Sequence, residues 1–243
     1  MTRFFVLPEE LLTDEIVLTG ENAKHAKVLR LKSGEEVLVC DGQGNECLCE
    51  VKALDDGLVS LAVRQRRESE AEAGVRVSVY MSFPKADKLE HVIQKATELG
   101  AFEIVAFPSA RCISRPDEKS LAKKVERWQK IAASAAEQSG RGRIPQIITL
   151  PSYKAALERA AQADQALLFY ENERATTLRM ALASRQYKTV SLLTGPEGGL
   201  EEVEVKQALD AGLSVCTLGK RILRCETAPL CALSAVMYDA GEF

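Results

Sequence analysis

The segment Thr194-Gly195-Pro196-Glu197-Gly198-Gly199 follows an apolar run through Val190, Leu192 and Leu193. Further on stands Leu218-Gly219-Lys220-Arg221-Ile222-Leu223-Arg224-Cys225-Glu226-Thr227-Ala228. Glycine tolerates positive φ and lets a ligand approach the main chain, while Pro196 stiffens its loop, so both segments suit binding through backbone groups. Thr227 has N-cap chemistry, and Pro229 fits the first turn of a helix through Leu230, Leu233, Val236 and Met237. Arg221 and Arg224 can hold an anion or a developing negative charge by charge-assisted hydrogen bonds. Glu197 and Glu226 can accept a proton or orient an arginine. Ordinary strand-to-helix turns are the plain alternative. Two such turns carrying Glu197, Arg221, Arg224 and Glu226 point instead to one backbone-lined pocket.

Other chemistries lack their residues. No Gly-x-Gly-x-x-Gly follows the first strand of the α/β region, and the Gly195 loop does not end in Gly-Lys-Ser/Thr; dinucleotide-binding and P-loop readings are therefore disfavoured. The histidines are His25 and His91, and the seven cysteines include no Cys-x-x-Cys pair, so no metal site is expected. Cys47 and Cys49 read as one face of a strand.

These loops need elements to carry them. In a chain of 243 residues, 46% hydrophobic and 28% charged, there is enough material for one large core or two modest ones. Residues 1–72 contain short strand-like runs, Glu36 to Cys40, Glu46 to Val51 and Leu58 to Val63, separated by Asp41–Asn45 and Asp55-Asp56-Gly57. A small β-barrel is the economical reading. A composition break near Arg66 to Gly74 introduces residues 73–243. There Val75, Val77, Val79, Met81 and Phe83 alternate, Leu89, Val92, Ile93, Ala96 and Leu99 follow helical spacing before Gly100, and Ile104 to Phe107 forms a strand. A long helix carries Leu121, Val125, Trp128, Ile131 and Ala135, with Trp128 as a packing residue. Buried strands cover 166–170, 190–194 and 214–218. The fold class is α/β with a mainly parallel sheet.

Charge is unevenly spread. Residues 1–72 hold nine Lys and Arg against fifteen Asp and Glu, although the whole chain is only −3. From Arg111 to Arg143 nine basic residues, Arg111, Arg115, Lys119, Lys123, Lys124, Arg127, Lys130, Arg141 and Arg143, face four acidic ones. This strip suits phosphate binding; a solvated helix face is the open alternative. In the N-terminal region Arg3 and the cluster Lys24, Lys27, Arg30 and Lys32 around His25 offer a basic edge, or else a short amphipathic helix with Ala26 and Leu29 inward. No apolar run reaches the roughly 20 residues that span a bilayer. Met1 to Phe5 leads into Pro8-Glu9-Glu10 rather than a signal-peptide core, and a reducing cytoplasm is the expected location.

The Gly195–Gly199 loop and the Leu218–Ala228 segment resemble those of the bacterial ribosomal RNA small-subunit methyltransferase E family, in the SPOUT class. Further matches are Lys85-Ala86-Asp87-Lys88, Gln94 to Gly100, and Ala136-Glu137-Gln138-Ser139 with Arg141 and Pro145. The family usually has Thr where this chain has Cys225. The resemblance implies a trefoil-knotted methyltransferase domain over 73–243, preceded by a PUA-like RNA-binding barrel over 1–72. It implies S-adenosylmethionine as cofactor, held by Leu193, Thr194, Gly195 to Gly199, Leu218, Gly219, Ile222, Leu223, Arg224, Thr227 and Ala228. The implied reaction methylates N3 of a uridine in 16S ribosomal RNA, through a homodimer. Arg224 is the leading candidate for a catalytic contribution, ahead of Arg221, Glu197 and Glu226. RNA contacts are expected from Arg3, Lys24, Lys27, Arg30, Arg111, Lys123, Lys124, Arg127, Arg141 and Arg143. Two alternatives stand beside this: a related knotted ribose 2′-O methyltransferase, and a non-catalytic ribosome-assembly factor that binds RNA without consuming the cofactor.

Overall fold

The computed structural model describes every residue except Asp56, Arg115, Ser184 and Arg185. The turn residue Asp56 and the basic-strip residue Arg115 thus lie outside the described residues. The chain divides into two compact units, Met1–Glu72 with Ala136–Ile144, and Ala73–Ala135 with Pro145–Phe243.

In the first unit, strands β1 (Arg3–Phe5), β2 (Glu15–Leu18), β3 (Glu36–Cys40), β4 (Asn45–Asp55) and β5 (Leu58–Glu68) form one sheet in the order β1-β3-β4-β5-β2. β1 runs parallel to β3, and the other pairings are antiparallel. Register shifts at Leu48/Cys49, with Arg64 the extra residue on β5, and at Val51/Ala53, with Lys52 the extra residue on β4, bend this pair, because an extra residue locally raises twist. The sheet curls around Phe4, Ile16, Leu18, Val37, Val39 and Leu61. Cys47 and Cys49 share this buried face, and helix α1 (Gly20–Val28) adds Ala23 and Ala26. Leu29, expected inward with Ala26, is instead exposed at the helix end. The charged run from Arg66 is not yet a linker. β5 continues through Glu68, with the Arg66 guanidinium on the carbonyls of Leu11 and Thr13 and on Asp14, and Arg67 2.9 Å from Glu46. Paired arginines can end a strand as well as a break can.

The second unit alternates strands and helices. They are β6 (Arg76–Ser82), α2 (Lys88–Glu98), β7 (Glu103–Phe107), α3 (Glu118–Ser139), β8 (Gln146–Thr149), α4 (Tyr153–Ala160) and β9 (Gln165–Phe169). There follow α5 (Leu178–Leu182), β10 (Thr189–Thr194), α6 (Glu202–Asp210), β11 (Ser214–Cys216) and α7 (Thr227–Asp239). The six strands lie in the order β11-β9-β10-β6-β7-β8 and every described pairing is parallel. Helix cover makes the inner strands apolar on both faces: Val77, Val79, Tyr80 and Met81 of β6 are all buried, as are Leu192 and Leu193 of β10. Trp128 is buried, as its spacing requires. α2 buries Leu89, Val92, Ile93 and Ala96. It stops in a Schellman turn, where Gly100 (φ 91°) and Ala101 donate to the carbonyls of Thr97 and Ala96 at 3.1 and 2.9 Å. α7 packs on α2, β6 and β10. The carboxyl ends of adjacent β9, β10 and β11 thus open at one edge, where parallel sheets place ligands.

Candidate active site

Three strand-end loops build one cavity of about 510 Å3. After β10, the turn Pro196–Gly199 closes through the Gly199 N–H donating to the Pro196 carbonyl at 2.9 Å. Gly199 sits at φ 67°, and a Cβ there would lie 2.4 Å from Glu171 Oε1. A Cβ on Gly195 would meet Leu200 Cγ at 3.0 Å. After β11, Thr217 Oγ1 accepts the Gly219 N–H at 3.2 Å and holds that turn. Gly219 has φ 108°, and a Cβ there would find no atom within 4 Å. This is a left-handed backbone beside open space, which only glycine adopts freely. The third loop follows β9 and contributes Tyr170, Glu171 and Arg174. It carries no glycine to advertise itself, and only the pairing of β9 with β10 and β11 brings it to the site.

Of the residues expected to hold a cofactor, Thr194, Gly195 to Gly199, Leu218, Gly219, Ile222, Leu223, Arg224 and Ala228 line the cavity. Leu193 is fully buried in the sheet, and Thr227 is exposed; neither lines it. Thr227 is also not a side-chain cap. It is the first residue of α7, and its own N–H is taken with that of Ala228 by the Arg224 carbonyl, at 2.9 and 3.0 Å.

The two candidate carboxylates do not orient an arginine; they hold Lys88. Its Nζ lies 3.2 Å from Glu197 Oε1 and 3.1 Å from Glu226 Oε2, and 3.7 Å from Cys225 Sγ. Glu197 also accepts the Lys85 N–H at 3.0 Å. Burial pushes the Glu197 carboxyl up, but its own N–H, that of Lys85 and the Lys88 ammonium outweigh burial and hold it below the usual range. Glu226 follows suit: burial is overcome by its own N–H, the Cys225 thiol and Lys88. The Glu226 bond, set against burial and joined by Glu197, raises Lys88 in turn. Burial, then the bond to Glu226, pushes the Cys225 thiol up to about 12. Both carboxylates are therefore ionised acceptors with a cation between them. Lys88 was legible only as part of the Lys85–Lys88 match; nothing in its spacing ties it to residues over one hundred positions away. Arg221 and Arg224 are exposed and, among the described residues, make no side-chain hydrogen bond or ion pair.

A family profile described as an RNA methyltransferase domain matches residues 71–237, and another, an RNA methyltransferase PUA domain, matches 18–63. The chain is 38% identical to the Ribosomal RNA small subunit methyltransferase E of Bacillus subtilis (strain 168), over 98% of this chain and 97% of that protein. This chain belongs to the ribosomal RNA small subunit methyltransferase E family. The member from Mycobacterium bovis is 34% identical over 90% of this chain and 85% of its own length. A crystal structure of the family member from Neisseria gonorrhoeae bound to S-adenosyl methionine superposes with TM-score 0.85 at 31% identity, covering 98% of this chain and 97% of that one. A methyltransferase of Legionella pneumophila in complex with the same cofactor gives 0.84 at 27% identity, covering 98% of both chains.

The basic residues expected to meet RNA fall into two groups in this family member. Lys24, Lys27, Arg30 and Lys123 are exposed, and Lys124 is half-buried. Lys24 sits 2.7 Å from Glu21, and the exposed Arg127 2.7 Å from Glu90. The others serve the fold. Arg3 is 2.8 Å from Glu46, a carboxylate that is 2% exposed and takes Arg67 as a second partner. Arg141 is 4% exposed, 2.7 Å from Glu72, and Glu72 also accepts the N–H groups of Gly142 and Arg143 at 3.0 Å. The Arg143 guanidinium donates to the Gln43 carbonyl. Arg111 donates to the Gly198 carbonyl at 2.9 Å and so braces the glycine loop. The buried Glu46 carboxylate needs a paired cation, and the Arg141 guanidinium is itself buried against Glu72, so both arginines are engaged within the fold. Among the described residues there is no cluster suited to a metal ion, and no helix is long and apolar enough to cross a membrane.

Proposed function

We propose that this chain transfers a methyl group from S-adenosylmethionine to N3 of a specific uridine in 16S ribosomal RNA. The observation that carries this reading is the cavity between the Gly195–Gly199 and Leu218–Gly219 turns, in a fold shared with relatives crystallised with that cofactor. The residues fit the cofactor. Leu200, Leu218 and Leu223 offer apolar walls to a heterocycle, the two glycine turns offer main-chain donors and acceptors, and the Glu171 carboxylate offers an acceptor for hydroxyl or ammonium groups. The cofactor, when bound, supplies an electrophilic methyl on sulfur.

This chain's own residues must meet the other requirement. Uracil N3 carries a proton and is a poor nucleophile while neutral, so negative charge on the ring has to be stabilised as that proton leaves. Arg224, exposed and unpaired among the described residues at the cavity wall, is the cation assigned to this, with Lys220 and Arg221 beside it. Glu197 and Glu226 position: their charge is spent on Lys88, and Glu197 tethers the Lys85 backbone. On this reading residues 73–243 form a knotted catalytic domain, residues 1–72 an RNA-facing PUA-like module, and the chain works in the cytoplasm as a homodimer. Mass mapping of 16S RNA from cells with and without the gene tests it. A methyl group lost from one uridine base is expected. A methyl lost from a ribose would move the assignment to 2′-O transfer, and an unchanged map would leave an RNA-binding assembly role.

A further inference from the structure

Lys88 belongs to two cavities. On one side it lines the strand-end cavity; on the other it lines a second cavity of about 550 Å3, walled by one face of α2 and by Glu226 and Ile131. His91 and Gln94 on that face, with the N-cap Asp87 in the same register, stand opposite the buried Leu89, Val92, Ile93 and Ala96. We infer that the second cavity receives the target base of the RNA, a neutral planar heterocycle turned out of its strand, with the Lys88 ammonium meeting its carbonyl edge. The inference rests on the methyl-transfer reading above and names where the acceptor sits.

Three observations favour a base over other occupants. First, no cation lining the cavity is left for an anion: Lys88 pairs with Glu226, Glu90 pairs with Arg127 from outside the lining, and Asp87 adds a further carboxylate, so a phosphodiester finds no counter-ion while an uncharged ring needs none. Second, the remaining walls match a pyrimidine. The His91 ring and Ile131 offer faces for stacking and apolar contact, and the Gln94 carboxamide offers a donor and an acceptor together, as a base edge does. Third, Lys88 stands between the two cavities with one weakly held donor. Two of its N–H groups serve Glu197 and Glu226; the third points, on the strand-end side, to Cys225 sulfur at 3.7 Å. Sulfur is a weak acceptor, so exchanging it for a carbonyl oxygen costs little.

Filling the cavity tests this with the full chain. Gln94→Trp should leave S-adenosylmethionine affinity by calorimetry within about twofold, yet lower single-turnover methylation of small-subunit RNA by 100-fold or more. With unaltered protein, RNA carrying 4-thiouridine at the target position should photocrosslink to α2 or Ile131. Should Gln94→Trp lose cofactor binding through misfolding, the smaller Gln94→Leu decides, with kcat down at least fivefold and cofactor affinity unchanged. An undiminished rate in the folded variant, or a crosslink confined to Lys123 and Arg127, overturns the base site while leaving the proposed function intact. Unaltered protein that methylates no uridine overturns both.

Discussion

At the scale of single residues, the site holds one cation, Lys88, between two carboxylates and another, Arg224, that makes no ion pair among the described residues. Arg224→Lys should keep cofactor binding but lower single-turnover methylation about tenfold, or roughly 1.4 kcal/mol, because a lysine cannot reproduce the planar bidentate geometry. Raising the pH should partly restore the rate as more uridine loses its N3 proton; an arginine serving only phosphate would show weaker RNA affinity and no such recovery. Lys88 is the paired cation, with its third donor only weakly held by the Cys225 sulfur, and Lys88→Met leaves two carboxylates without their partner. A loss of about 1–2 kcal/mol is expected from urea unfolding at neutral pH. Because Glu197 and Glu226 are held low in the fold, their pairing stabilises above the ordinary carboxylate range. That stability is lost as pH falls from about 4.3 through the depressed values. The variant's stability should therefore change less across that acid window than the parent's. Sequence types alone suggested arginine–glutamate partnerships here. The actual partner, Lys88, lies on α2, and such long-range pairing leaves no trace in local spacing.

Elements were legible where one period or one stop signal dominated. The alternation of β6 and the helical spacing of α2 with its terminal Gly100 stand in the sequence because burial on one face repeats with the element's own geometry. β8, α4, α5 and α6 gave no comparable signal. β8 has four residues and α5 five, too few for a period to declare itself, and their burial comes from neighbours distant in the chain. The glycine turns show the same division. Their chemistry was readable, but which way each glycine faces was not. A side chain on Gly198 would press on Arg111 Cβ, 3.2 Å away, whereas one on Gly219 would enter open space. Gly219→Ala should therefore weaken S-adenosylmethionine binding at least tenfold by calorimetry while costing only the left-handed backbone penalty, about 1–2 kcal/mol, in thermal unfolding. Equal losses in cofactor affinity and stability with no separate ligand effect would take this turn out of the site.

For the whole molecule, counting basic residues overstated the surface available to RNA, since Arg3 and Arg141 are internal counter-ions of Glu46 and Glu72. Lys123, Lys124 and Arg127 remain as a testable strip. Changing all three to Gln should lower RNA affinity and flatten its dependence on salt, leaving cofactor affinity unchanged; an insensitive RNA affinity would mark the strip as a solvated helix face. The mainly parallel sheet was legible from buried apolar strands, but the strand order was not, because β10 inserts between β9 and β6 without any local mark. The thiols carry one more consequence. Six of the seven are buried, and Cys225, lining the strand-end cavity, is held protonated with its ordinary reactivity suppressed. Cys231 on α7 is exposed. A maleimide dye would thus find a single address on the native protein, giving a fluorescent reporter on the C-terminal helix without engineering any other cysteine away.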